Sequence, residues 1–122
     1  MSIRFFEYSG CSGCRSARKW LDAHGVTVTA VPIVEKPPSV AELKTWLGQS
    51  GLELKRFFNT SGEHYRTLGL SARLPEMTEA EALQLLTKNG KLIKRPLLVD
   101  DSTGRVMVGF KPETYAQFFS KG

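Results

Sequence analysis

Cysteine is scarce in this chain: the 122 residues contain two, Cys11 and Cys14. They stand too close together to staple distant segments, so a secreted disulfide framework is excluded and a reducing compartment is expected. Histidine is equally scarce, and His24 and His64 stand far from the cysteines in sequence. A structural zinc site needs about four protein ligands, so no metal is expected. No apolar run approaches the roughly 18 residues that a membrane span requires. The start, Met1-Ser2-Ile3-Arg4, leads straight into short alternating structure without the apolar stretch of a secretory leader. A soluble cytoplasmic protein without membrane contacts is therefore expected. The charge is unbalanced, with 17 Lys and Arg against 12 Asp and Glu, a net +5. These basic residues are spread over several segments instead of forming a block. No helix is crowded with base-reading side chains, so direct DNA reading is not expected. There is no internal repeat and no low-complexity linker. With 41% hydrophobic residues the chain has enough apolar surface for one core, so a single domain over residues 1–122, acting as a monomer, is expected.

Within that frame the elements follow in a definite order. Ile3 to Tyr8 is rich in β-formers and ends at Ser9-Gly10, a strand followed by a turn. From Gly13 to His24 the period becomes helical, with Cys14, Ala17 and Leu21 on one stripe and Gly25 as the stop. Val26 to Val31 reads as a second strand, parallel to the first, ended by Pro32. Ser39 and Glu42 form a capping box for a helix carrying Val40, Leu43 and Leu47, with its stop at Gly48. Leu52 to Phe58 and Glu63 to Leu68 read as short helices, with Asn59 or Ser61 as a cap. Thr78 and Glu81 cap a third, carrying Ala82, Leu83 and Leu86 and ending at Asn89-Gly90. Pro96 to Asp100 is a compact apolar strand, joined by a turn at Asp101 to Gly104 to Val106–Val108 as a hairpin. Lys111-Pro112 opens a last helix with Tyr115, Phe118 and Phe119. The predicted order is β-α-β, a helical insertion, then β-β-α. That is a thioredoxin-like α/β arrangement, a mixed sheet flanked by helices, with residues 1–33 and 91–122 as the core and 34–90 as the insertion.

The cysteines then acquire a chemical setting. On the first turn of a helix, free backbone N–H groups and the helix dipole favour a thiolate. Cys11 at the mouth is expected to attack and Cys14 to resolve. Arg15 is near enough in sequence to support the sulfur or an anionic ligand. Pro96 is expected to be cis and to face the cysteine turn, with Arg95 projecting toward the same mouth. Two guanidinium groups there suit an oxyanion, a glutathione carboxylate or a sulfenate. Asn59 belongs to a polar cluster that can line the cleft. Trp20 and Trp46 are expected in helix packing, and His64, with no partner readable from the sequence, is assigned no general-base work.

Four segments, Cys11 to Arg15, Phe58 to Gly69, Leu92 to Asp100 and Val106 to Phe110, together resemble the arsenate-reductase-like superfamily, which also contains the Spx and MgsR regulators. The wording of these segments is most similar to the arsenate-reductase-related branch, some of whose members use glutathione. The resemblance implies a thiol-disulfide oxidoreductase or glutathione-dependent reductase acting on a small-molecule or protein disulfide. Glutathione, glutaredoxin or thioredoxin would be the reductant, and no cofactor would be bound. Its regulators imply a different use, a disulfide switch that binds the C-terminal domain of the RNA polymerase α subunit near Gly51. Its glutaredoxin-coupled arsenate reductases imply a cysteine matching Cys11 and three oxyanion-binding arginines. Arg95 matches one, while the others fall at Asn59 and near Val108-Gly109.

Overall fold

A computed structural model describes residues 2–120, so Met1, Lys121 and Gly122 at the ends of the expected domain lie outside the described residues. Four strands form one sheet in the order β2-β1-β3-β4: β1 Ile3–Glu7, β2 Thr29–Pro32, β3 Leu97–Asp100 and β4 Arg105–Val108. β1 pairs parallel with β2 and antiparallel with β3, and β3 pairs antiparallel with β4. Between β1 and β2 runs α1 (Ser12–Ala23), and after β4 comes α6 (Pro112–Phe118). The stretch between β2 and β3 is helical: α2 Val40–Ser50, α3 Glu63–Thr67, α4 Leu70–Arg73 and α5 Glu79–Lys88, with 3-10 turns at Leu54–Phe57, Leu74–Glu76 and Gly90–Leu92. This is a thioredoxin-like fold, a mixed sheet flanked by helices with an inserted helical region.

The two-residue period of the strands divides the core. Ile3 and Phe5 on β1 and Leu98 on β3 point to one face, where Ala17 and Leu21 of α1 and Tyr115 and Phe118 of α6 cover them. Phe6, Leu97 and Val99 point to the other, against Leu43, Trp46, Leu83 and Leu86 of the inserted helices. Burying such side chains contributes about 1.5–3 kcal/mol each. The sheet is thus closed on both sides, and the ends of its strands are left for chemistry.

Several element boundaries differ from the sequence reading. β2 begins at Thr29 and includes Pro32, which pairs with Glu7. β2 is an edge strand, where a missing N–H costs no ladder bond. Val26 and Val28, expected in that strand, instead pack beside the α1 and α6 core. α2 passes through Gly48 and ends with Gly51 in the left-handed region at φ 69°, the usual signature of a helix terminus. Leu54–Phe57 is a 3-10 turn where a helix from Leu52 was expected. Neither Asn59 nor Ser61 caps α3; its N-cap is Gly62, without a side-chain hydrogen bond. The two expected capping boxes, Ser39 with Glu42 and Thr78 with Glu81, are both present.

Two further features fix the insertion. Phe58 bridges Ile93, with the Asn59 N–H donating to the Leu92 carbonyl at 2.7 Å and the Lys94 N–H to the Phe57 carbonyl at 2.8 Å. Gly90 backs directly onto the Ile33 main chain, where a Cβ would sit 2.1 Å from the Ile33 carbonyl oxygen. Any side chain at 90 must push these two segments apart.

Candidate active site

The chain turns from β1 into α1 through Tyr8, Ser9 and Gly10, and the Cys11 N–H donates to the Tyr8 carbonyl at 3.1 Å. Cys11 is the N-cap of α1, with extended backbone, and its Sγ accepts the Cys14 N–H at 3.2 Å. A thiol here takes the place usually held by Ser, Thr, Asp or Asn, satisfying one of the orphan amides of the first turn. Both sulfurs are free thiols, Cys11 partly exposed and Cys14 buried. Burial pushes the Cys14 thiol up to about 12. The Cys11 sulfur adds to that shift, while the Tyr8 backbone and the positive charge of Arg95 oppose it. The two thiols of one turn are therefore unequal: one is reachable from solvent and the other is a buried, neutral thiol.

The Arg95–Pro96 peptide bond is cis. Pro96 faces the cysteine turn: a Cβ placed on Gly13 would lie 3.9 Å from Cys11 Sγ and 3.9 Å from Pro96 Cδ. Arg95 is held on both sides. Its Nη1 donates to the Lys91 carbonyl at 3.0 Å, and its guanidinium carbon lies 4.9 Å from the centre of the Tyr8 ring. Such a stack on an aromatic face is a favoured setting for a guanidinium. Lys91 Nζ approaches the same ring at 5.8 Å.

The remaining expected site residues are more dispersed. Arg15 is exposed and donates through Nη1 to the Ser9 carbonyl at 3.1 Å, so it clasps the turn before Cys11. Asn59 is engaged in its own turn. Its carbonyl accepts the Gly62 N–H, and its side-chain amide occupies the space where a Cβ on Gly62 would lie. Tyr8 was not foreseen as a site residue. Its place three residues before Cys11, at the end of an apolar strand, was the only available signal. Tyr115 lies under the site with its hydroxyl buried and unpartnered, and burial pushes its phenol up. Trp46 is in the core; Trp20 stacks on His24 at 3.8 Å on the α1 and α6 face. His64 is exposed, with Nδ1 3.0 Å from the Asn89 amide nitrogen. Among the described residues no three His, Cys, Asp or Glu side chains cluster as metal ligands, and no helix is long and apolar enough to cross a membrane.

A cysteine pair at the start of the helix after the first strand, opposite a cis proline before the third, defines a thioredoxin-fold protein with a thiol site. The match to known proteins narrows this further. The ArsC family profile matches residues 6–118, and the chain belongs to that family. It is 48% identical over 117 residues to the uncharacterised protein YusI of Bacillus subtilis (strain 168), covering 96% of this chain and 98% of that one. It is 30% identical over 110 residues to the regulatory protein MgsR of the same organism, covering 90% and 84%. The crystal structure of an ArsC-family-related protein from Bacteroides fragilis superposes with a TM-score of 0.90 at 49% identity, over 96% of this chain and 97% of that one. These matches place the chain in the superfamily that joins arsenate-reductase-like proteins to the Spx and MgsR regulators.

Proposed function

We propose that the chain is a thiol-disulfide oxidoreductase of the arsenate-reductase-related kind, with Cys11 as nucleophile and Cys14 as resolving thiol. The observation that carries this reading is the inequality of the two sulfurs on one helical turn beside Pro96. The Cys11 thiolate attacks one sulfur of a substrate disulfide, forming a mixed disulfide and expelling the other sulfur as thiolate. Cys14 then gives up its proton to the substrate thiolate already expelled, attacks Cys11 Sγ and releases the second substrate thiolate. Two electrons have passed to the substrate, and the chain is left with a Cys11–Cys14 disulfide. Glutathione, glutaredoxin or thioredoxin returns it to the dithiol by the same exchange in reverse. The buried Cys14 stays protonated until a mixed disulfide forms beside it, which prevents two thiolates from competing on one turn. Arg95, fixed by Lys91 and Tyr8, supplies positive charge to anionic sulfur or to a substrate carboxylate. Arg15 acts by holding the turn.

The test is turnover of a glutathione mixed disulfide followed by mass spectrometry. Cys11→Ser reduces the rate to background. Cys14→Ser still reacts once and accumulates a glutathione adduct on Cys11. An adduct on Cys14 in the Cys11→Ser chain, formed at the wild-type rate, overturns the assignment of roles.

A second reading rests on the likeness to MgsR, whose name describes a regulatory protein. In it the same disulfide is a switch that alters binding to the C-terminal domain of the RNA polymerase α subunit. Gly51, which the resemblance places at that contact, is exposed at the end of α2. Redox-dependent, stoichiometric capture on the immobilised α domain, without turnover, favours this reading. Arsenate reduction has less support, since Arg95 stands without arginine partners at Asn59 or Gly109. An arsenate-dependent rate above that of Cys11→Ser would restore it.

A further inference from the structure

The cations at the thiol end of the sheet are held in different ways. Lys55, Arg56, Lys94 and Lys111 line an open cavity of about 590 Å³ beyond the end of β4, and among the described residues none of them makes a salt bridge or lies over an aromatic ring. Arg95 also has no carboxylate partner among the described residues, and its side chain makes one hydrogen bond, from Nη1 to the Lys91 carbonyl at 3.0 Å. A single bond leaves a planar guanidinium free to turn about it, and a long side chain resists being fixed because it loses rotamer freedom. The contact that removes this freedom is the Tyr8 ring, 4.9 Å from the guanidinium carbon.

The ring is fixed in its turn. It packs, partly buried, against the core on the insertion side of the sheet, and its edge lies against Gly10, where a Cβ would fall 2.9 Å from Tyr8 Cε2. Gly10 has no positive φ, so the space the ring occupies, and not the backbone, asks for glycine there. The Tyr8 carbonyl accepts the Cys11 N–H at 3.1 Å. One residue therefore meets the thiol turn through its main chain and the arginine through its ring.

We propose that Tyr8 is a positioning residue whose ring sets the bearing of the Arg95 guanidinium toward the cysteine turn. The proposal rests on the oxidoreductase reading and deepens it by naming what aims its arginine. Tyr8 touches no reacting atom and acts through Arg95. The ring makes the contacts with Gly10 and Arg95, so the hydroxyl is dispensable and the aromatic face is not.

The experiment compares two alkylating probes on the Cys14→Ser chain, in which Cys11 is the one thiol. Iodoacetate is an anion and iodoacetamide is neutral. With either, the Cys11 thiolate displaces iodide: a C–S bond forms, the C–I bond breaks, and nothing is oxidised or reduced. Both reactions draw on the same thiolate, so the ratio of their rates reads the positive charge beside the sulfur and cancels any change in ionisation. Arg95→Ala lowers the ratio. Tyr8→Leu lowers it by about fivefold, while Tyr8→Phe keeps it within about twofold of the parent. Adding Tyr8→Leu to Arg95→Ala changes it no further, as expected of two residues acting as one unit. Proton NMR of the parent chain supplies a measurement that does not depend on Tyr8→Leu folding: the Arg95 δ-methylene protons are shifted upfield by the ring current.

Unshifted Arg95 protons, no fall in Arg95→Ala, an unchanged ratio in natively folded Tyr8→Leu, or an equal fall in Tyr8→Phe overturns the inference. So does a further fall when Tyr8→Leu joins Arg95→Ala, and a lower Tm with an unchanged ratio makes Tyr8 merely structural. The two proposals fail separately, because alkylation involves no disulfide. The expected ratios without turnover of the glutathione mixed disulfide overturn the oxidoreductase reading and leave Tyr8 as the residue that aims Arg95. Turnover with ratios indifferent to Tyr8 overturns the positioning role alone.

Discussion

Cations at the two ends of the same strands keep different company. At the start of β1, Arg4 is enclosed by carboxylates. Its guanidinium donates to Asp101 twice at 2.7 Å and to Glu42 at 2.8 Å, and its plane lies near the rings of Phe6 and Trp46. At the far end, Arg95 rests on a ring and a carbonyl, and four further cations line an open cavity, none of them in a salt bridge among the described residues. The paired arginine joins β1 to α2 and to the β3–β4 turn, so it serves the fold. Among the described residues the four cavity cations tie no elements together through ion pairs. A positive charge without an internal partner is available to a ligand, and that end of the sheet is also where the thiols lie.

The contrast yields graded expectations. Arg95→Ala is expected to lower kcat/KM for glutathione disulfide by about ten- to a hundredfold, the worth of a hydrogen bond to a charged group, with little change in Tm. A large fall in Tm with unchanged kcat/KM would make Arg95 structural and erase the distinction between the ends. Arg4→Ala should do the opposite, lowering stability by roughly 1 kcal/mol, since the network is partly exposed. That corresponds to a Tm lower by about 3–6 °C, measured by calorimetry, with exchange kinetics intact.

The smallest effect is in the pH dependence of stability. Burial works to raise the Glu42 carboxyl, but the Ser39 amide and the Arg4 guanidinium prevail and hold it below the usual carboxylate range. Asp100, buried, is held low by the Ser102 hydroxyl at 2.6 Å and the Ser102 N–H at 3.0 Å. Both groups have folded values below their unfolded ones. Their contribution is therefore complete above the ordinary carboxylate range, near pH 4, and is lost as pH falls through the lowered values. Tm should be flat near neutrality and decline on acidification below about pH 4, and Glu42→Gln should make that decline shallower. An equally steep decline in Glu42→Gln would show that the Arg4 end does not titrate as described.

What could be read from the residues was what is local. The change of period between Phe6 and Cys14 placed the cysteines at a helix start, and the Ser39 and Thr78 boxes announced their helices in four residues each. Arg95-Pro96 at the head of an apolar strand pointed to the cysteine turn because strand order put it there. The rest depended on residues remote in the chain. The Arg4 network joins positions 38 and 97 residues away, for which a single sequence carries no signal. The cationic cavity draws on three segments, each of which alone reads as a solvated surface. Gly48 looked like a helix stop because glycine weakens helices, yet one glycine costs only about 1 kcal/mol and the packing of Leu43 and Trp46 carries α2 past it. The 3-10 turns are too short for any periodicity to reveal.

The pairing of Phe57–Asn59 with Leu92–Lys94 gives the insertion leverage over the thiol site. Arg95 follows directly on a segment whose N–H and carbonyl groups are tied to the inserted region. Substitutions within residues 54–60 therefore reach two places. Those changes alter the lining of the cavity and the bearing of the arginine in one stroke, leaving the helix that carries the sulfurs untouched.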